Sequence, residues 1–468
     1  MRWKTTLFLL LATLGLGAYV SRIELREPTR ETREQQSRYI VHLSPETVRQ
    51  CAIESPAAGS VTLSRSEHGW VMAPEGFRAD AEQINGLLEA AGDLRLVRTL
   101  TGSPEKPLDP SAYGLQPPEG TLTVMTDREP LTLRFGAPTP VKDQRYLMLS
   151  GRKEIFVVSA AMFQQLDQPR DRFRDPVLLR LGQFPGQISL VAPSRSFTLS
   201  RQQMDWRLTQ PVADAADSAV ITRSLQQLGA MRIQRFVDDA PAVEHRAAWG
   251  FDPPAAELTL TPPDGSPPVT LFFGAELPDA KELRYAKRSD EPSLYAVDAK
   301  DLDAVLIDPN SLRARHCFHA LSSQVMRIEV RRDQSGWIIE RPSGLGTAWL
   351  AVGLQIPLDQ QQAEAFAVRV SGLQVSGFVD EAPADLARYG LAAPGGTISL
   401  TVEANRPPQR LLIGAAIPGS KERYGLIEGR PAVVRLPKEL EEVWFGTPER
   451  LQAPAQPAPE RPTSSAPE

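Results

Sequence analysis

The chain has 468 residues, 41% of them hydrophobic and 23% charged, with a formal charge of -5 at pH 7. That length exceeds one ordinary core and calls for two to four domains, while the composition excludes a wholly disordered chain. The absence of any lysine or arginine block argues against nucleic-acid partners, and two cysteines, Cys51 and Cys317, cannot form a disulfide framework.

The chain opens with "MRWKTTLFLLLATLGLGAYVSR", in which Arg2 and Lys4 precede an uncharged run from Thr5 to Val20. As a helix those residues cover about 24 Å, and Trp3, Ser21 and Ile23 extend the span while Lys4 and Arg22 snorkel. Residues 1–23 therefore read as a signal anchor or single transmembrane helix. A cleaved secretory signal is the alternative, given Gly15 and Gly17. Both readings export the rest of the chain. The short, basic, acid-free leader favours a body on the outer side of the cytoplasmic membrane. Residues 24–39, with alternating charges in "RIELREPTRETREQQSR", read as a solvated stalk.

The next three segments, 40–182, 183–318 and 319–452, repeat one pattern. Each begins with a short alternating run reaching a tryptophan: Trp70, Trp206 and Trp337. An amphipathic helix follows, with Ile84, Leu87, Leu88 and Ala91 on one face in the first copy and Asp80 at its start. Ile221, Leu225 and Leu228 do the same in the second copy, and Phe366, Val370 and Leu373 in the third. Then comes an aromatic-glycine phrase, "SAYGLQPPEG", "AAWGFDPPAA" or "ARYGLAAPGG". Its aromatics are Tyr113, Trp249 and Tyr389, its glycines Gly114, Gly250 and Gly390.

Alternating strands follow, one of them ending in Gly136, Gly274 or Gly414. A turn then carries Lys142, Lys281 or Lys421, with the pairs Arg145-Tyr146, Arg284-Tyr285 and Arg423-Tyr424 just after it. Each copy closes on a short amphipathic helix, "AAMFQQLDQ", "AKDLDAVLI" or "PKELEEVWF". The fold class expected is α+β: three tandem copies of an antiparallel sheet with helices packed on one face, after one N-terminal transmembrane helix. Residues 453–468, rich in proline, serine and alanine, read as a disordered tail.

The tryptophan, the aromatic-glycine turn and the glycine-ended strand repeat as structural positions, since a ring seals the sheet-helix junction and a glycine takes a conformation or contact closed to side chains. The three lysines are the most repeated charged positions. They read as solvated turn residues, with contacts to one acidic partner as the alternative. His316, Cys317 and His319 stand close in "RHCFHAL", but three residues this close need a fourth ligand, and no metal or cofactor site is assigned. No phosphate loop, nucleophile elbow or triad is recognisable, so no catalytic residue is named.

The anchor, the tryptophan before a helix, the aromatic-glycine-leucine turn with its prolines, the glycine-ended strand and the following tyrosine together resemble the domain of unknown function 4340 family. The family commonly has tyrosine before arginine in the later strand. The order is reversed here, so no side-chain role transfers to that pair. The resemblance implies a membrane-anchored extracytoplasmic protein of the inner membrane, with a periplasmic body, associated with ABC-type transport systems of the gliding-motility-like kind. The function expected is an interaction or scaffold protein accessory to such a permease complex. An envelope glycan or other ligand-binding module is the alternative, and an enzyme with a carboxylate-based site the weakest of the three readings.

Overall fold

The computed structural model describes residues 39–452, apart from 42, 68, 104–106, 128, 343–346, 354–356 and 404–405. The expected membrane helix, nearly all of the stalk and the tail lie outside the described residues. Among the described residues no helix is long and apolar enough to cross a membrane.

The first module is one nine-stranded sheet. Strands β1 (Val48–Ser55), β2 (Gly59–Ser66), β3 (Gly69–Ala73) and β4 (Phe77–Arg78) form one meander. After β5 (Arg98–Leu100), a second meander runs through β6 (Gly120–Thr126), β7 (Leu131–Pro138), β8 (Gln144–Leu149) and β9 (Ile155–Ser159). The spatial order is β4-β3-β2-β1-β6-β7-β8-β9-β5, with neighbouring strands antiparallel. Helix α1 (Ala81–Gly92) crosses from β4 to β5, and α2 (Ala161–Leu166) follows β9. Their apolar residues Ile84, Leu87, Leu88, Phe163 and Leu166 share one core with Ile53, Leu63, Leu122, Leu133 and Phe135 of the sheet. The helices thus gather over the face where strand side chains alternate inward.

The second module repeats this order with β10 (Gln187–Ala192), β11 (Arg195–Gln202), β12 (Asp205–Gln210), β13 (Asp214–Ala215), α3 (Ser218–Ala230), β14 (Ile233–Asp238), β15 (Ala256–Thr261), β16 (Val269–Glu276), β17 (Leu283–Arg288), β18 (Leu294–Asp298) and α4 (Ala299–Val305). The third comprises β19 (Arg327–Arg332), β20 (Ser335–Glu340), β21 (Leu350–Ala351), α5 (Gln360–Ser371), β22 (Gly377–Asp380), β23 (Gly396–Thr401), β24 (Gln409–Ala416), β25 (Arg423–Ile427), β26 (Val433–Leu436) and α6 (Leu440–Trp444). Its sheet has eight strands, ordered β21-β20-β19-β23-β24-β25-β26-β22. The long helices start alike in all three modules. Asp80, Asp217 and Asp359 each accept two backbone N–H groups of the first turn, satisfying donors that a helix cannot bond internally.

By contacts the chain divides after Leu178 into two compact units. The second unit holds modules two and three. Their connecting segment belongs to both: Cys317 N–H donates to Leu373 O and Val375 N–H donates to Arg315 O, while the Cys317 and Phe318 side chains enter the third core.

Candidate functional site

The repeated phrase is a helix stop locked to a strand. In the first module Gly114 takes φ 67°, closing the 3-10 turn Pro110–Tyr113. Gly114 N–H donates to Ser111 O at 3.1 Å and Leu115 N–H to Pro110 O at 3.0 Å, the paired bonds of a Schellman stop. The same pairs recur at Gly250 with Phe251 and at Gly390 with Leu391. The stop lies against the strand so closely that a Cβ on Gly136, Gly274 or Gly414 would stand 2.3, 2.1 or 2.3 Å from the backbone oxygen of Tyr113, Trp249 or Tyr389. At those three glycines the ladder shifts register, between Phe135/Pro138, Phe273/Glu276 and Ile413/Ala416. Three matching β-bulges thus make room for three matching turns.

The reversed Arg-Tyr pair serves the same lock. Arg145 Nη1 donates to Gly136 O at 2.5 Å, Arg284 Nη1 donates to Gly274 O, and Arg423 Nε donates to Gly414 O at 3.2 Å. Each arginine therefore satisfies the carbonyl at the bulge. Tyr146 meets Tyr113 edge-on at 4.9 Å and Tyr424 meets Tyr389 at 5.1 Å. Trp249 instead meets His245 at 5.5 Å.

The tryptophan positions need a correction in the third module. Trp70 lies opposite Arg65 and Trp206 opposite Arg201, in the hairpins β2–β3 and β11–β12. Trp337 instead lies opposite Val330 in the hairpin β19–β20, one strand earlier in the meander. The equivalent residue is Trp349. Arg341 stacks on it at 4.6 Å, as Arg65 stacks on Trp70 at 4.9 Å.

The guanidiniums repeat too. Arg65 donates to Val48 O and Pro45 O at 3.3 and 3.1 Å, and Arg341 donates to the matching oxygens of Val325 (2.6 Å) and Ser322. Trp349 Nε1 donates to Glu364 at 3.0 Å. The corresponding Trp70 Nε1 and Asn85 Oδ1 are both buried without a hydrogen-bond partner. In the second module Arg201 lies over Phe184 at 5.4 Å. This arginine was missed in the sequence because Arg332 stands before Trp337 at the spacing of Arg65 before Trp70 and of Arg201 before Trp206.

Lys142, Lys281 and Lys421 are exposed in the turns before β8, β17 and β25. His316 Nε2 lies 3.0 Å from Gln374 Nε2. Burial pushes the Cys317 thiol up to about 12, and likewise Cys51, which keeps both sulfurs protonated and unreactive at neutral pH.

Two features are not repeated. At the junction of modules two and three, Asp214 accepts from Arg313 Nε at 2.8 Å, from Arg430 Nε at 2.8 Å and Nη2 at 2.7 Å, and from Ala215 N–H at 2.8 Å. Asp214 and Arg313 are each 1% exposed. Arg313 also pairs with Glu381 at 2.6 Å and lies over the Phe378 ring at 3.3 Å. Burial alone would raise the Asp214 carboxyl, but the hydrogen bonds and charges of Arg430 and Arg313 outweigh it and hold the group below the usual range. The second feature is a groove of about 340 Å³ in module three, lined by Trp337, Gln362, Phe366, Arg369, Glu442 and Arg450, with Gly446, Thr447 and Leu451.

No curated protein and no solved structure matches the chain. One family model does, and its three matches begin at residues 70, 206 and 349, the tryptophans that lie opposite Arg65 and Arg201 and under Arg341. With matches over residues 70–245, 206–351 and 349–448, the chain belongs to the family described as Domain of unknown function (DUF4340).

Proposed function

We propose that this protein is a membrane-anchored extracytoplasmic scaffold, held to the inner membrane by residues 1–23 and accessory to an ABC-type transport system. The observation that carries this reading is where the threefold residues go. The glycines, their aromatic partners, the bulge arginines and the helix-capping aspartates all close turns, satisfy carbonyls or fill cores. The repeat therefore multiplies a folded body rather than a reactive centre. The Asp214 cluster adds to this by binding modules two and three into one stiff piece, a property suited to presenting surfaces at fixed spacing.

The test is detergent extraction of the full chain followed by affinity capture. Recovery of an ABC-type permease or its ATPase supports the reading. Capture by isolated cell-wall polymer without either component overturns it in favour of an envelope ligand-binding module, the reading that the groove beside Trp337 favours. An export-dependent reporter fused after Glu468 checks the topology: function only in the cytoplasm refutes the proposed orientation.

A further inference from the structure

The groove in module three is built where module one has packed core and module two a small apolar cavity lined by Phe197. By register, Trp337 opposite Val330 takes the place of Val61 opposite Ile53 and of Phe197 opposite Leu190. Val61 and Phe197 are buried, 2% and 3% exposed, whereas Trp337 is only partly buried. The larger ring comes out at the side of α5. There its Nε1 donates to Gly446 O at 2.9 Å, and the Phe366 ring braces it at 5.1 Å with the planes 44° apart. The indole is thus held in one orientation by folding itself, so a ligand that stacks on it loses little further freedom in the protein.

Around this ring stand groups able to recognise a small polar molecule. One face of α5 supplies Gln362 and Arg369, and the segment from α6 to residue 451 supplies Glu442, Thr447 and Arg450. Arg369 and Arg450 are exposed, and among the described residues neither has an ion-pair partner, unlike Arg341 or Arg313 in the same unit. Of the groups that line the groove, two guanidiniums and one carboxylate leave one positive charge in excess, with Glu449, bonded to Thr447, next to the lining.

We propose that this groove binds one carboxylated sugar residue, as a free sugar acid or as a unit of an acidic polysaccharide. The volume lies at the small end of ligand pockets. An indole presents a negative π face, which suits the weakly positive C–H edges of a pyranose ring. A guanidinium takes a carboxylate through two parallel hydrogen bonds. Gln362 and Glu442 are left for hydroxyl groups, since the Thr447 side chain is bonded to the Glu449 carboxylate. The Glu442 carboxylate opposes a second negative charge, so a phosphate dianion fits less well than a single carboxylate. This inference does not depend on the tether or on a transport partner, and its test touches neither.

The test is calorimetric titration of the full chain with sodium D-glucuronate, with D-glucose, acetate and inorganic phosphate as comparators. Saturable glucuronate binding is expected, with each comparator weaker by about tenfold or more. The double variant Arg369→Gln, Arg450→Gln alters only exposed side chains and is expected to keep the thermal unfolding midpoint while losing about tenfold or more in glucuronate affinity. Trp337→Phe, which copies the ring found in module two, is expected to weaken binding of glucuronate but not to unfold the module. Absence of saturable glucuronate binding overturns the proposal, as does unchanged affinity in the double variant. Equal binding of acetate or phosphate overturns the sugar class and leaves a general anion site.

Discussion

Asp214→Asn is the sharpest test of how modules two and three are joined. The carboxylate it removes is the shared acceptor of two guanidiniums that are 1% and 8% exposed. An asparagine oxygen can accept from one of them and carries no charge, while its NH2 group faces cations. The cluster has little reserve, since Arg430 Nη1 and Glu381 Oε2 already lack a hydrogen-bond partner. Breaking a buried pair from one side costs about 3–5 kcal/mol, because a charge stays buried without compensation. Read by hydrogen exchange, that is a rise of about two to four powers of ten in the opening of amides around β13 and residues 313–317.

The control is to remove the charges together. Asp214→Leu with Arg313→Met and Arg430→Met leaves Glu381, whose side chain is 40% exposed and can remain hydrated. The triple variant is expected to recover protection to wild-type level or above. The sign of the pH dependence follows from the depressed Asp214 carboxyl. Its contribution is full above the ordinary aspartate value of about 3.9 and is lost as pH falls through the lower folded value, so the gap between wild type and Asp214→Asn should close in acid. Unchanged exchange in the single variant, or a triple variant as damaged as the single, would refute the reasoning.

Gly136→Ala places a methyl 2.3 Å from Tyr113 O and should destabilise module one by about 1–3 kcal/mol in denaturant unfolding. Gly86→Ala, in the middle of α1 with nothing within 4 Å, should stabilise it by up to about 1 kcal/mol. Trp349→Ala removes a ring that is 2% exposed and should cost about 3–5 kcal/mol. Limited proteolysis would then cut the third module first. Replacing Lys142, Lys281 and Lys421 together by glutamine should leave unfolding and membrane extraction unchanged; loss of a copurified permease component from that folded variant would instead make them partner contacts.

Much of the fold was legible because its devices are local. An aspartate before an apolar helical face and a glycine after a short aromatic turn each act within a few residues of chain, so their spacing survives in the sequence. The tight approach of Gly136, Gly274 and Gly414 was visible as three glycines at matching places, although the backbone oxygens they admit come from more than twenty residues earlier. The Asp214 cluster had no such trace. Its members are separated by 99 and 216 residues, and no periodicity links an aspartate on one edge strand to an arginine in a hairpin of the next module.

The misplacement of the third tryptophan shows how a repeat can mislead when one element appears twice inside it. Each module begins with successive antiparallel hairpins, and the turns before Trp70, Trp206 and Trp337 share polar residues ahead of an aromatic. In modules one and two that turn joins the second strand to the third; in module three it joins the first to the second. Arg332 precedes Trp337 by the same spacing that separates Arg65 from Trp70 and Arg201 from Trp206, so what discriminates is the strand register. Arg65, Arg201 and Arg341 follow the strand residues Ser64, Ser200 and Glu340, which pair with Gln50, Gln187 and Arg327 of the first strand. Aligned on that register, Arg341 and Trp349 fall into place and Trp337 is released from the repeat. A residue freed from the common packing role, yet fixed by its own hydrogen bond at the rim of a groove, is where this chain departs from its own pattern, and so where a function particular to one module has room to reside.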